Sequence, residues 1–93
     1  MKPVREIEEL VRALQPLFTR TNRTFRYYES GEDTLSIIVE IPGFYTECTY
    51  EEGKYKMFLE VTKADKVDAS VESYSDVNAV VKVLTHHLEH KGG

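Results

Sequence analysis

The sequence predicts an α+β domain in which an antiparallel five-stranded β-meander is flanked by an N-terminal and a C-terminal helix, in the order α-β-β-β-β-β-α, with both helices on one sheet face. Three observations predict it. Apolar residues recur at helical spacing near both ends of the chain, they alternate with polar residues through its middle, and Pro-Gly or acid-Gly pairs punctuate the alternating stretch. At 93 residues the chain falls just below the usual range of about 100 to 200 residues per domain, so residues 1–93 are expected to form a single α+β domain. A domain of this size buries only roughly 60 to 65% of the surface its unfolded chain exposes, which makes association with a partner a natural source of stability.

Each element has its own signal. Pro3 suits a first helical turn, and Val4, Ile7, Leu10, Val11 and Leu14 follow at helical spacing, with Arg5, Glu6, Glu8, Glu9 and Arg12 on the other face. Pro16 lacks an amide hydrogen, so this helix is expected to end or kink near Gln15, with Leu17 and Phe18 packing as the chain leaves. From Thr24 to Glu29 the pattern becomes aromatic and β-branched, and Ser30-Gly31-Glu32-Asp33 reads as a hairpin turn. Leu35, Ile37, Val39 and Ile41 then alternate with Ser36, Ile38 and Glu40, the clearest strand in the chain, which Pro42-Gly43 ends. Phe44 to Tyr50 and Lys54 to Thr62 read as two further strands joined at Glu51-Glu52-Gly53, and Lys66 to Glu72 reads as a fifth in which Val67, Ala69 and Val71 alternate with Asp68, Ser70 and Glu72. Ser73 or Ser75 can cap a closing helix, whose stripe is Val77, Val80, Val81, Leu84 and Leu88.

This order of elements resembles that of small chaperone-type and frataxin-type α+β sandwiches, whose helices also flank a meander. The likeness is one of topology and carries over no functional residue.

Composition narrows the function classes. A formal net charge of −4 argues against a nonspecific nucleic-acid binder, which normally carries a basic excess. Cys48 is the single cysteine, so neither an internal disulfide nor a cysteine metal cluster is expected, and a reducing compartment fits best. No apolar run approaches the ~18 residues of a membrane span, and the N-terminal sequence turns acidic where a signal peptide would turn apolar. A cytoplasmic protein with no membrane partner is the expectation. In that setting the Asn22-Arg23-Thr24 sequon has no role.

Charge is nevertheless segregated along the chain. Arg20, Arg23 and Arg26 come with no acid between them, whereas Glu29, Glu32, Asp33, Glu40, Glu47, Glu51 and Glu52 follow with no intervening Lys or Arg. Arg20, Arg23, Arg26 and Tyr28, with Lys54 and Lys56, could form a basic aromatic strand surface on which single-stranded nucleic acid stacks. Cross-strand pairing of these arginines with the acids accounts for the same residues without a ligand.

Two short motifs carry weaker signals. His86-His87-Leu88-Glu89-His90 contains the H-x-x-E-H order of inverted zinc peptidases. His86 and His90 fall opposite the Val77 stripe, too few residues follow to supply a third ligand, and an exposed pair of histidines near a helix C-terminus is the simpler account. No metal and no cofactor are therefore expected. Lys91-Gly92-Gly93 resembles the diglycine tail of ubiquitin-like modifiers, but the glycines follow a predicted helix directly, where glycine serves as a helix stop. No nucleophile elbow or glycine-rich phosphate loop is present, so enzyme activity has no positive signal.

The most informative sequence feature is the second face of the sheet. Ile38 and Phe58 occupy positions out of phase with the core, and two helices cannot cover both faces. Depending on strand phase, Tyr27 or Tyr28 and Phe44 or Tyr45 join them, and we assign Tyr28 and Tyr45 to the patch. Aromatic residues with a charged rim are typical of protein interfaces. The expected function is thus a noncatalytic protein-interaction or regulatory domain, a homodimer that also takes an unidentified protein partner, using an open sheet face or edge. The alternatives are a single-stranded nucleic-acid binder and, third, a small enzyme or ubiquitin-like modifier.

Overall fold

The computed structural model describes residues 5–30 and 34–91. Strand order in its sheet follows chain order, β1-β2-β3-β4-β5, with every neighbouring pair antiparallel. The strands are β1 (Arg26–Ser30), β2 (Thr34–Ile41), β3 (Phe44–Glu51), β4 (Lys54–Lys63) and β5 (Lys66–Tyr74), preceded by helix α1 (Arg5–Thr21) and followed by helix α2 (Val77–Lys91). This is the α+β order that the residue patterns predict. Pro3 and the Gly31-Glu32-Asp33 turn lie outside the described residues.

α1 does not end at Gln15. It runs through Pro16 to Thr21, because proline deletes only the bond to the Arg12 carbonyl, and Arg12 and Pro16 both lie on the exposed side where water can replace it. Leu17 and Phe18, buried beyond the proline, hold the last turn against the sheet. Asn22 then adopts a left-handed conformation (φ 57°), its amide donating to the Thr19 carbonyl at 3.3 Å and the Arg23 amide to the Phe18 carbonyl at 2.9 Å. That pair of bonds is the Schellman closure, which satisfies carbonyls the helix end leaves open. The cap of α2 also differs from expectation. Asp76, rather than Ser73 or Ser75, accepts the Asn78 amide at 3.0 Å through its side chain and the Ala79 amide at 3.0 Å through its carbonyl.

Both helices bury their stripes against the same sheet face. Ile7, Leu10, Leu14, Val80, Leu84 and Leu88 meet Ile37 and Val39 of β2, Phe44 and Cys48 of β3, and Met57 and Leu59 of β4 in one core. Leu35, Val61 and Val81 pack at its margin. Each fully buried Leu or Ile contributes roughly 1.5 to 3 kcal/mol relative to exposure. The buried Thr46 hydroxyl donates to the Phe58 carbonyl at 2.8 Å, so its burial leaves no orphaned group.

Among the described residues, three hairpin turns set the register. Pro42-Gly43 places Gly43 at φ 83°, and its carbonyl accepts the Thr62 amide at 3.0 Å. Glu52-Gly53 has both φ values positive, the arrangement that suits a two-residue hairpin. Ala64-Asp65 has the same signs, φ 51° and 66°, without a glycine to relieve them.

Candidate functional site

Strand pairing decides which aromatic residues share the face that no described helix covers. Arg26 lies opposite Ile38, Ile38 opposite Glu47, Glu47 opposite Phe58, and Phe58 opposite Val71. Since side chains alternate along a strand, Tyr28, Ile38, Tyr45 and Phe58 all belong to this open face. Tyr27 and Phe44 belong to the helix-covered face, where Phe44 stacks on the His87 ring at 4.3 Å and Tyr27 meets Phe25 edge-on at 5.4 Å.

The four residues do not make one exposed patch. Ile38 is only 6% exposed, although it stands outside the helix-packed core. It occupies the middle of an internal strand, and Arg26 directly across from it donates to Glu40 at 3.5 Å, placing long side chains around it. Glu47 separates it from Phe58. Phe58 is half-buried and meets Tyr45 at a ring-centroid distance of 6.2 Å.

Exposure is instead concentrated at the far edge. Every residue of β5 from Lys66 to Ser73 is exposed, with Val67 at 57% and Val71 at 64%. Val67, Ala69 and Val71 share the open face with Phe58, while Lys66, Asp68, Ser70 and Glu72 point to the helix side without being covered by it. Sequence alone does not single out Val67 and Val71 as interface residues. Their alternation was visible, but alternation alone does not say which side a strand turns to the helices.

Charge on the open face is unevenly placed: Glu40 and Glu60 stand opposite Tyr45 on its two neighbouring strands, while Lys54 and Lys56 lie toward the β3–β4 turn. Burial pushes the Tyr45 phenol above its usual range, with Glu47, Glu40 and Glu60 adding to the shift and Arg26 opposing it. Three carboxylates therefore surround this ring. Lys56 pairs with Glu51 at 3.4 Å, and Lys54 and Lys56 share the face with Tyr28 and Arg26. Arg20 and Arg23 do not. Arg20 belongs to the last turn of α1 and donates through Nε to Glu89 of α2 at 2.6 Å. Arg23 lies in the loop before β1, and its Nε is buried with no hydrogen-bond partner among the described residues. The continuous basic strand from Arg20 to Tyr28 is thus corrected: β1 begins at Arg26, and the arginines are spread over a helix end, a loop and a strand.

The remaining candidates find ordinary places. His86 is exposed on α2 and contacts the His87 ring at 5.2 Å. The His90 side chain and Gly92-Gly93 lie outside what the structure describes, and among the described residues no cluster of three His, Cys, Asp or Glu could hold a metal. Cys48 is buried in the core, and desolvation pushes its thiol up to about 12. Such a thiol is a packing residue, since the thiolate is the reactive form. Among the described residues, no helix is long and apolar enough to cross a membrane. What the fold and surface define is a small α+β domain with one covered and one open sheet face. Comparison with known proteins finds no family model, no curated protein and no solved structure that matches the chain.

Proposed function

We propose that this chain is a noncatalytic protein-interaction domain that works as a homodimer, its contact surface being the β4–β5 side of the open face. The observation that carries the reading is the uninterrupted exposure of β5 beside Phe58, with Val67 and Val71 both turned to solvent. A long edge strand with apolar residues is a standing template for pairing, which protein chains either blunt or use. Small domains gain the most from covering such surface. The acidic cluster of the face, Glu40, Glu47 and Glu60 around Tyr45, fits a protein partner better than a phosphate backbone.

Light scattering across a concentration series tests this. The unmodified chain is expected at twice its 10.7 kDa mass in the high micromolar range, and Val71→Glu is expected to return it to one chain with an unchanged far-ultraviolet dichroism spectrum. An unmodified chain that stays at the single mass throughout would overturn the homodimer. Oligonucleotide binding with a steep salt dependence, lost on Lys54→Glu and Lys56→Glu, would replace the protein-interaction reading with the nucleic-acid one.

A further inference from the structure

Deepening that reading of the β4–β5 surface, we infer that β5 is a self-complementary edge: two copies pair antiparallel about Ala69 and join their sheets into one. β5 pairs with β4 on one side, and no described segment pairs with its other side. Its sequence from Lys66 to Tyr74 contains no proline to delete an edge amide and no glycine to weaken the strand, and its helix-side charges Lys66, Asp68 and Glu72, which would repel most strands, include both signs and so can be met by a copy in the right register. β1, at the opposite edge, is a short strand of 5 residues against the 9 of β5.

A strand that pairs antiparallel with a copy of itself does so about a two-fold axis normal to the sheet, midway between the two copies of one central residue, and facing residues then lie on the same side of the sheet. The choice of centre decides which side chains meet. An axis at Ser70 sets Asp68 against Glu72 twice, a like-charge contact that destabilises a cross-strand pair. An axis at Val71 leaves Lys66 with no facing residue on the strand. With the axis at Ala69, Lys66 faces the partner subunit's Glu72, Val67 faces the partner subunit's Val71, Asp68 faces the partner subunit's Ser70, and the two Ala69 residues meet at the centre. Opposite charges, apolar pairs and a small central residue all fall into place in that one register, and each noncentral pair occurs twice.

The rest of the fold permits it. A two-fold axis normal to the sheet keeps both helix layers on one side, and the helix-side residues Lys66, Asp68, Ser70 and Glu72 are all exposed, so α2 leaves the edge clear. Glu72 already accepts the Tyr74 hydroxyl on its own strand, which holds the carboxylate beside the edge. On the open face, Phe58 lies against Val71 and Thr62 against Val67 within one copy. Pairing about Ala69 then places the partner subunit's Val67 next to Val71, extending the apolar row from Phe58 across the seam.

Cysteine cross-linking reads the register directly. Facing residues in an antiparallel pair have Cα atoms about 4.5 to 5.5 Å apart, within the roughly 4.4 to 6.8 Å that a disulfide spans. Ala69→Cys is therefore expected to form a covalent dimer under mild oxidation. Val71→Cys alone is expected not to, because its two copies would stand about 13 Å apart along the strands, whereas a mixture of Val67→Cys and Val71→Cys chains should link. Buried Cys48 does not compete. Lys66→Glu should weaken the dimer about tenfold, since the change is felt twice, and Lys66→Glu combined with Glu72→Lys should restore it. Phe58→Glu lies off the seam and should leave the Ala69→Cys link in place. Linking of Val71→Cys but not Ala69→Cys would overturn this register. A dimer that Phe58→Glu dissolves and Ala69→Cys fails to trap would mean that copies meet through their open faces, which overturns strand pairing but leaves the interaction surface standing. A chain monomeric at every concentration overturns both the pairing and the homodimer.

Discussion

β3 and β5 read alike in sequence, and their fates in the fold are opposite. Phe44, Thr46 and Cys48 on one side of β3 are buried and the residues between them half-buried, whereas β5 is exposed on both sides until Tyr74. β3 lies at the centre of the sheet between two strands, with Phe44 and Cys48 in the core that both helices share, whereas β5 pairs with β4 alone among the described residues and its helix-side residues Lys66, Asp68, Ser70 and Glu72 are exposed. Burial thus follows position in the sheet rather than the alternation itself. Val67 and Val71 have the strand-forming chemistry of core residues, but they stand where no second layer reaches them.

Deletion mutants should expose this contrast most strongly. Leu84→Ala, in the α2 stripe over the central strands, is expected to cost about 2 to 5 kcal/mol, while Val71→Ala in dilute solution should stay within about 0.5 kcal/mol of the unmodified chain. Urea melts measure both. A Val71→Ala loss as large as that of Leu84→Ala would mean that β5 belongs to the core after all.

A second measure of the contrast is alkaline stability. Burial holds the Cys48 thiol at about 12, and the hydrogen bond to Glu72, with burial behind it, holds the Tyr74 phenol at about 12. Both folded values lie above the ordinary 9.0 and 10.0, so the fold favours the protonated forms. Their contribution is fully present below about pH 9 and is lost as pH rises toward 12, by up to about 1.4 kcal/mol per pH unit for a buried group. The central Cys48 should dominate. Melts between pH 8 and 11 on the unmodified chain and on Cys48→Ala should give a shallower decline for the variant; equal slopes would place the burden on the edge instead.

The smallest effect belongs to the turn that launches β5. Ala64 sits at φ 51°, a left-handed conformation that an L-residue with a Cβ adopts only at a cost. Ala64→Gly should stabilise the domain by about 0.4 to 1 kcal/mol. Thermal melts test it, and a loss of stability would show that the alanine methyl makes a contact worth more than the strain.

Much of the architecture was legible because it rests on local patterns. The stripe from Ile7 to Leu14, the alternation from Leu35 to Ile41 and the stripe from Val80 to Leu88 each identify an element and its buried side within one stretch of chain. Errors arose where local rules met tertiary support. Pro16 reads as a helix stop, but burial of Leu17 and Phe18 carries the helix past it. Ser73 and Ser75 read as caps, but the strand extends to Tyr74 and leaves Asp76 at the helix start. Ile38 reads as an exposed residue of the second face, but it lies there shielded, since its neighbours across β1 and β3 are Arg26 and Glu47.

By itself, then, the sequence determined the α+β class, the order of elements and the core stripe of each helix, because periods of 3.6 and 2 are properties of a single segment, whereas the shared face of Tyr28, Ile38, Tyr45 and Phe58 needed the pairing of one strand with the next. Tertiary structure alone decided that Arg20 pairs with Glu89 of α2, that Ile38 is shielded, and that Val67 and Val71 are left at an open edge. Those outcomes depend on which strands neighbour which and on how far two helices reach across five strands, and no periodicity within one segment encodes that distance.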